Sequence, residues 1–526
     1  NVPSETRENK GRNTYYFLPF ILGIIGLLLQ LNRNGKDFTV VMWLFFMTGI
    51  AIILYLNQSP AEPRERDYAY AGSFYAFSIW IGLGVLWIYE LFKKLLKRGP
   101  AAAVAATVLC AGVPVILGAQ NWDDHDRSHR YVARDFGWNY LESTLPNSII
   151  INYGDNDTFP LWYNQEVEGV RTDVRVMNIS YLGAEWYIDE MKIRANDSEP
   201  VPFSLPQDKY TGVNEMLYVN DIFKKPVLIT QVIDWIKSDD PRTKVDMGRK
   251  GEKSSFLPAR TIAIPVNKEN ALASGIVKPE DAELMVDTVY VQIKKSAIDR
   301  GEMMLLDLLA NFDWKRPIYF TQPSTAAPLG LGDYLQFDGF AYRLVPIKTP
   351  YSSYISVGRI DTDYLYDKLM NTFRYGNVKD PRVNADFFVQ HSFNATQART
   401  AFARLAKQLA AEGEREKALE VLNRGIEEIP FSQIRHSYGS TIPIVEAYYA
   451  AGDTVRANEI LNDYAKILKE YIDYYLTFPE SKQNMILNEM REKVTILYEL
   501  YNVAENNGQR KEADELIAYF KEKGLA

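Results

Sequence analysis

The chain's 526 residues, 47% hydrophobic and 24% charged, would suit two or three ordinary globular domains, and its net charge of −8 argues against a nucleic-acid-binding surface. The single cysteine, Cys110, excludes an internal disulfide and a cysteine-type zinc cluster. The chain opens on Asn1 with no signal-peptide pattern, which leads to the expectation of an upstream portion.

Taken in order, residues 14–31, 38–56, 69–89 and 99–120 each run without a charged side chain and are about long enough to cross ~30 Å of hydrocarbon as a helix. Charges fall only between them, so residues 1–120 are predicted to hold four membrane spans. The most basic connection is Lys93, Lys94, Lys97 and Arg98. Placing it in the cytoplasm puts the loop 57–68 and everything from about residue 121 on the outer face.

Residues 121–389 read as a mixed α/β domain. A β-branched run at 148–153, a helical pattern at 158–167 and a second run at 173–179 predict a βαβ unit, and 303–311 followed by 317–320 repeats helix then strand. Residues 200–212 and 237–255, rich in proline, charge and small side chains, read as loops or mobile insertions. From about residue 390 to 526 the pattern becomes continuous helix. Gly413, Gly452 and Gly508 each precede an alanine by five positions (Ala418, Ala457, Ala513), as expected of a tetratricopeptide-like helical tail in which glycine turns the chain and alanine admits close packing. The expected fold is therefore multi-domain, with a membrane bundle, an α/β domain and an all-α tail. That tail would either bind a protein or peptide or cap the domain before it.

Three clusters could carry chemistry. Glu62, Arg64, Glu65, Arg66 and Asp67 crowd the mouth of a span, where two arginines on the outer side suit a phosphate and the carboxylates suit an acceptor or a metal. The alternative is a self-paired set of interfacial charges. Asp155, Asn156 and Asp157 sit where a strand gives way to a helix and suit a divalent cation or sugar hydroxyls, while helix capping or an Asx turn explains one acid. His125 and His129, four apart, would share a helix face, but without a zincin glutamate no metal is assigned.

The segments Ser59-Pro-Ala-Glu-Pro-Arg-Glu-Arg-Asp-Tyr68, Asn121-Trp-Asp-Asp-His-Asp-Arg-Ser128 and Asn152-Tyr-Gly-Asp-Asn-Asp-Thr-Phe-Pro-Leu-Trp-Tyr163 together resemble the transmembrane protein 260 family, also called domain of unknown function 2723. The resemblance implies a C-type membrane glycosyltransferase that moves a sugar from a polyprenyl phosphate to a protein acceptor on the extracytoplasmic side; vertebrate relatives are O-mannosyltransferases. It places the chain in a bacterial inner membrane with a periplasmic portion. Such enzymes carry an acidic catalytic residue in the first outer loop, which this chain does not include, so no catalytic base is assigned. Glu62–Asp67 would help form the donor or acceptor site, no cofactor is required beyond a possible divalent cation, and a protein partner at the helical tail is open. The competing reading is a non-enzymatic membrane scaffold whose tail recruits proteins.

Overall fold

The computed structural model describes residues 2–58, 66–246, 253–351, 356–386, 388–390 and 398–525. It forms two compact units, one of residues 4–126 and the other chiefly of residues 127–526.

The first unit is helical: α1 (Leu18–Arg33), α2 (Gly35–Thr48), α3 (Ile50–Leu56), α4 (Ala71–Leu96) and α5 (Gly99–His125). Three stretches are long and apolar enough to cross a membrane, namely Gly35–Leu56, Asp67–Leu96 and Gly99–His125. Large apolar side chains on them face outward, Val40, Leu54 and Val108 among them, as lipid contact requires. The expected span at residues 14–31 is not confirmed at full length. Tyr16 and Phe17 adopt left-handed backbone, so the helix begins only at Leu18 and runs 16 residues, about 24 Å against ~30 Å of hydrocarbon. It ends where the Asn34 side chain accepts from the Asp37 N–H and starts α2. What α1 lacks in length it offsets in packing. A Cβ on Gly26 would lie 1.8 Å from the Trp80 carbonyl oxygen and one on Gly84 2.2 Å from that of Leu22, so glycine alone lets α1 and α4 come this close. Trp80, fully buried, donates to Gln30 at 2.7 Å, and Arg33 pairs with Glu90.

The second unit opens with α6 (Val132–Glu142), β1 (Ile149–Asn152), α7 (Phe159–Glu166), β2 (Arg175–Asn178) and α8 (Glu185–Met191). After several small sheets come α9 (Arg300–Asn311), β3 (Ile318–Phe320), β4 (Leu335–Phe337) and β5 (Tyr342–Leu344). The main sheet has the order β4-β5-β3-β1-β2, with β1 parallel to both β2 and β3 and the β4-β5 pair antiparallel. The expected βαβ unit and the helix-then-strand pair are thus present. Ile149, Ile150 and Ile151 are fully buried, as a central strand covered on both faces demands. One expectation fails: residues 237–255, read as a loop, include strands Lys244–Asp246 and Lys253–Ser255 paired antiparallel.

The carboxyl-terminal part carries α10 (Ala398–Ala411), α11 (Arg415–Glu428), α12 (Tyr438–Ala451), α13 (Thr454–Leu476), α14 (Leu487–Asn506) and α15 (Arg510–Glu522). Gly413, Gly452 and Gly508 take positive φ between consecutive helices, and Ala418, Ala457 and Ala513 are buried. Helix lengths run from 13 to 23 residues, so the pairs are not uniform repeats, and a tetratricopeptide assignment is not confirmed.

Candidate functional site

The strand order makes β1 a switch point. The chain leaves β1 for β2 on one side and returns to β3 on the other. The loops beyond their carboxyl ends therefore diverge and open a crevice, the position where open α/β sheets hold ligands.

Residues 153–158 follow β1 at that end of the sheet, and of them Tyr153 lines a cavity there. Gly154 has φ 78°, and nothing lies within 4 Å of an added Cβ, so the requirement for glycine is conformational. Asn178, fully buried at the end of β2, ties the turn down by donating to the Gly154 carbonyl at 3.1 Å and the Thr158 hydroxyl at 2.9 Å. The two acids then part. Asp157 is 7% exposed and accepts the Thr321 hydroxyl at 2.8 Å, just beyond β3. Burial pushes its carboxyl above the usual range, against the lowering hydrogen bonds of Thr321 and the Tyr153 N–H. Asp155 and Asn156 are exposed, and Asp155 accepts the Tyr181 hydroxyl.

One expectation needs correction. Neither Asp157 nor Thr158 caps α7 with its side chain; the Asp155 carbonyl receives the N–H groups of Thr158 and Phe159, and the Thr158 hydroxyl donates back to Gly154. Asp155 and Asp157 turn to different partners, and no group of three His, Cys, Asp or Glu that could hold a metal ion gathers among the described residues.

A cavity of about 590 Å³ adjoins the loop, lined by Tyr153, Ser180, Lys295, Arg300, Glu302 and Ser324 among others. The amino end of α9 opens on it behind a capping box of Asp299 and Glu302. Gly301 permits this placement, because a Cβ there would come 2.6 Å from the Ile179 carbonyl oxygen. Arg300 donates to the Gly183 carbonyl at 2.5 Å, with Glu215 at 3.4 Å and Glu185 at 3.7 Å. The sequence reading missed these residues, although Asp-x-x-Glu before an apolar run was a signal for the start of α9.

Of the charged loop in the first unit, Arg66 and Asp67 are exposed at the start of the short turn Asp67–Tyr70, while Glu62, Arg64 and Glu65 lie outside the described residues. His125 ends α5 with Nδ1 at 2.6 Å from Asp124, and the chain leaves the helix there, so His129 does not share a helix face with it.

The family model for TMEM260-associated domain 2 matches residues 133–364, which contain the whole main sheet, the 154–158 loop and α9. A protein of Dictyostelium discoideum named protein O-mannosyl-transferase tmem260 is 25% identical over 189 residues, 32% of this chain and 23% of that protein. The chain thus aligns with less than a quarter of that relative's length. No solved structure matches it. With three apolar helices of spanning length the chain is an integral membrane protein, and these two matches show a likeness to the TMEM260 family over part of its length.

Proposed function

We propose that this chain serves a membrane glycosyltransferase reaction in which a sugar passes from a polyprenyl phosphate to a protein acceptor on the periplasmic side of a bacterial inner membrane. The observation that carries this reading is the relative whose name is protein O-mannosyl-transferase. Apolar helices suit a donor that is itself a lipid. Arg64 and Arg66 hold the donor phosphate, because the planar guanidinium grips phosphate oxygens two at a time. Glu62, Glu65 and Asp67 flank them, and Asp155, Asn156 and Asp157 bind hydroxyls of sugar or acceptor at the crevice. The helical tail engages the protein partner.

The test is glycan transfer by full-length protein in membranes. Arg64→Ala and Arg66→Ala should each reduce transfer at least tenfold with unchanged membrane insertion, since exposed ion pairs contribute at most ~1 kcal/mol to stability. Lysine at either position should recover only part of the activity, because the charge returns without the fork. Undiminished transfer by the double alanine variant would remove the arginines from the donor site, and no transfer by the parent protein would favour the scaffold.

A further inference from the structure

A second cavity, of about 500 Å³, runs along β2, lined by Arg175, Trp162, Trp186, Glu166, Glu190 and Asn196 among others. It is distinct from the carboxyl-end crevice and within the size range of small-molecule sites. Its unusual member is Arg175. This side chain is 4% exposed, yet only one of its nitrogens is hydrogen-bonded, to the Glu190 carbonyl at 2.7 Å; Nε and Nη1 have no hydrogen-bond partner. Arg316, 8% exposed, lies close enough for its charge to oppose that of Arg175. It bonds only the carbonyls of Asn147, Glu199 and Pro200, and its Nη2 also has no hydrogen-bond partner. The Glu190 carboxylate acts on Arg175 through space, with no hydrogen bond between the two side chains. Among the described residues no carboxylate is hydrogen-bonded to either guanidinium.

A buried guanidinium with two unbonded nitrogens is costly unless an anion answers it. In the same cavity as Arg175, Trp186 is 60% exposed, braced edge-on by Tyr187, and offers an aromatic face with a polar tip. Asn196, in left-handed backbone and bonded to Glu166 at 2.7 Å, supplies amide and carboxylate groups that suit hydroxyls.

We propose that this cavity binds an anionic sugar, with its phosphate or carboxylate on Arg175 and its ring against Trp186. The assignment does not rest on the transferase reading, since binding is measured without transfer.

The experiment is titration calorimetry on the full chain in detergent with glucose 1-phosphate, glucuronate, glucose and inorganic phosphate. At least one charged sugar should bind at least tenfold more tightly than glucose and than inorganic phosphate, and comparing the two identifies the anionic group. Arg175→Met should weaken that binding at least tenfold while the melting temperature holds or rises, because a buried cation with no hydrogen-bonded carboxylate has been removed. Trp186→Ala, at an exposed ring, should weaken it severalfold. No saturable binding, equal binding of glucose, equal binding of inorganic phosphate, or parental affinity in Arg175→Met would each overturn the proposal. Should Arg175→Met fail to fold, Trp186→Ala decides: parental affinity in that variant overturns it.

Discussion

The sheet and the helical tail of the second unit both bury guanidinium groups, but they answer the charge in different ways. In the tail, Arg399 is fully buried and spends its donors on the carbonyls of Ile429, Ile434 and Arg435, closing the end of α11. The ring of Phe431 lies 4.1 Å beneath it. Burial pulls its pKa down to about 9. In the sheet, Arg343 faces the Asp338 carboxylate at 3.0 Å, which also accepts from Gln336 at 2.9 Å and Tyr319 at 3.0 Å. Arg175, at the sheet's edge, keeps two nitrogens without hydrogen bonds. Arg343 and, in the tail, Arg404 also keep one nitrogen each without a hydrogen bond, but Arg343 faces a carboxylate and Arg404 lies over the Phe337 ring, whereas Arg175 has two orphan nitrogens and no carboxylate hydrogen-bonded to it.

The sharpest way to break this comparison is to remove the one carboxylate. Asp338→Ala should cost about 4 kcal/mol in chemical denaturation, because it leaves Arg343 charged and alone in the core; a loss under ~1 kcal/mol would mean the pair is not the anchor it looks like. Next in size, Arg399→Met should cost about 3 kcal/mol by leaving the buried carbonyls of Ile429 and Ile434, and that of Arg435, without these donors. If it were instead neutral, carbonyl saturation would not separate structural arginines from site arginines.

A pH effect comes third. His436 is stacked between Phe431 at 4.1 Å and Tyr464 at 5.1 Å, and burial followed by the nearby Arg399 charge lowers its pKa to about 3 from 6.5. A depressed folded pKa contributes stability that is present above pH 6.5 and is lost as pH falls toward 3. Between pH 7 and pH 5 the helical tail should lose about 2 kcal/mol. Melting of parent and His436→Phe at both pH values checks this, since the variant should lack that component. The smallest expected change is in the crevice. Asp155→Asn, on an exposed side chain, should shift stability by under ~0.5 kcal/mol while weakening transfer or binding. A variant that unfolds, or that matches the parent in every assay, would reduce the loop to a structural turn.

Local order was legible because local chemistry dictates it. The isoleucine run of β1, the turn at Gly154 and the helix that follows are written in consecutive residues, and so are the glycines at 413, 452 and 508. The failures have equally physical causes. Apolar composition marked residues 14–31 as a span, but the left-handed backbone at Tyr16 and Phe17 trims the helix. Charge and proline hid the strands near 244 and 255, whose pairing is a contact between segments. The crevice was half visible: Asp155 and Asp157 stand out in the sequence but do not line the neighbouring cavity, while Ser180, Lys295 and Arg300, which do, are brought together only by the fold. Arg175 offered no signal, since a lone arginine in a strand shows neither its burial nor its missing partners.

The glycine contact between α1 and α4 bears on how the protein is made. A helix of 16 residues gains little from hydrocarbon by itself, and its closest neighbour, α4, leaves the ribosome later. Stable seating of α1 therefore has to wait for α4, so assembly of this region is post-insertional and its fidelity is set by two hydrogen atoms. At Gly26 or Gly84 an alanine would leave the folded helices intact one by one and stop them from meeting, and the defect would surface as degradation of newly made chains.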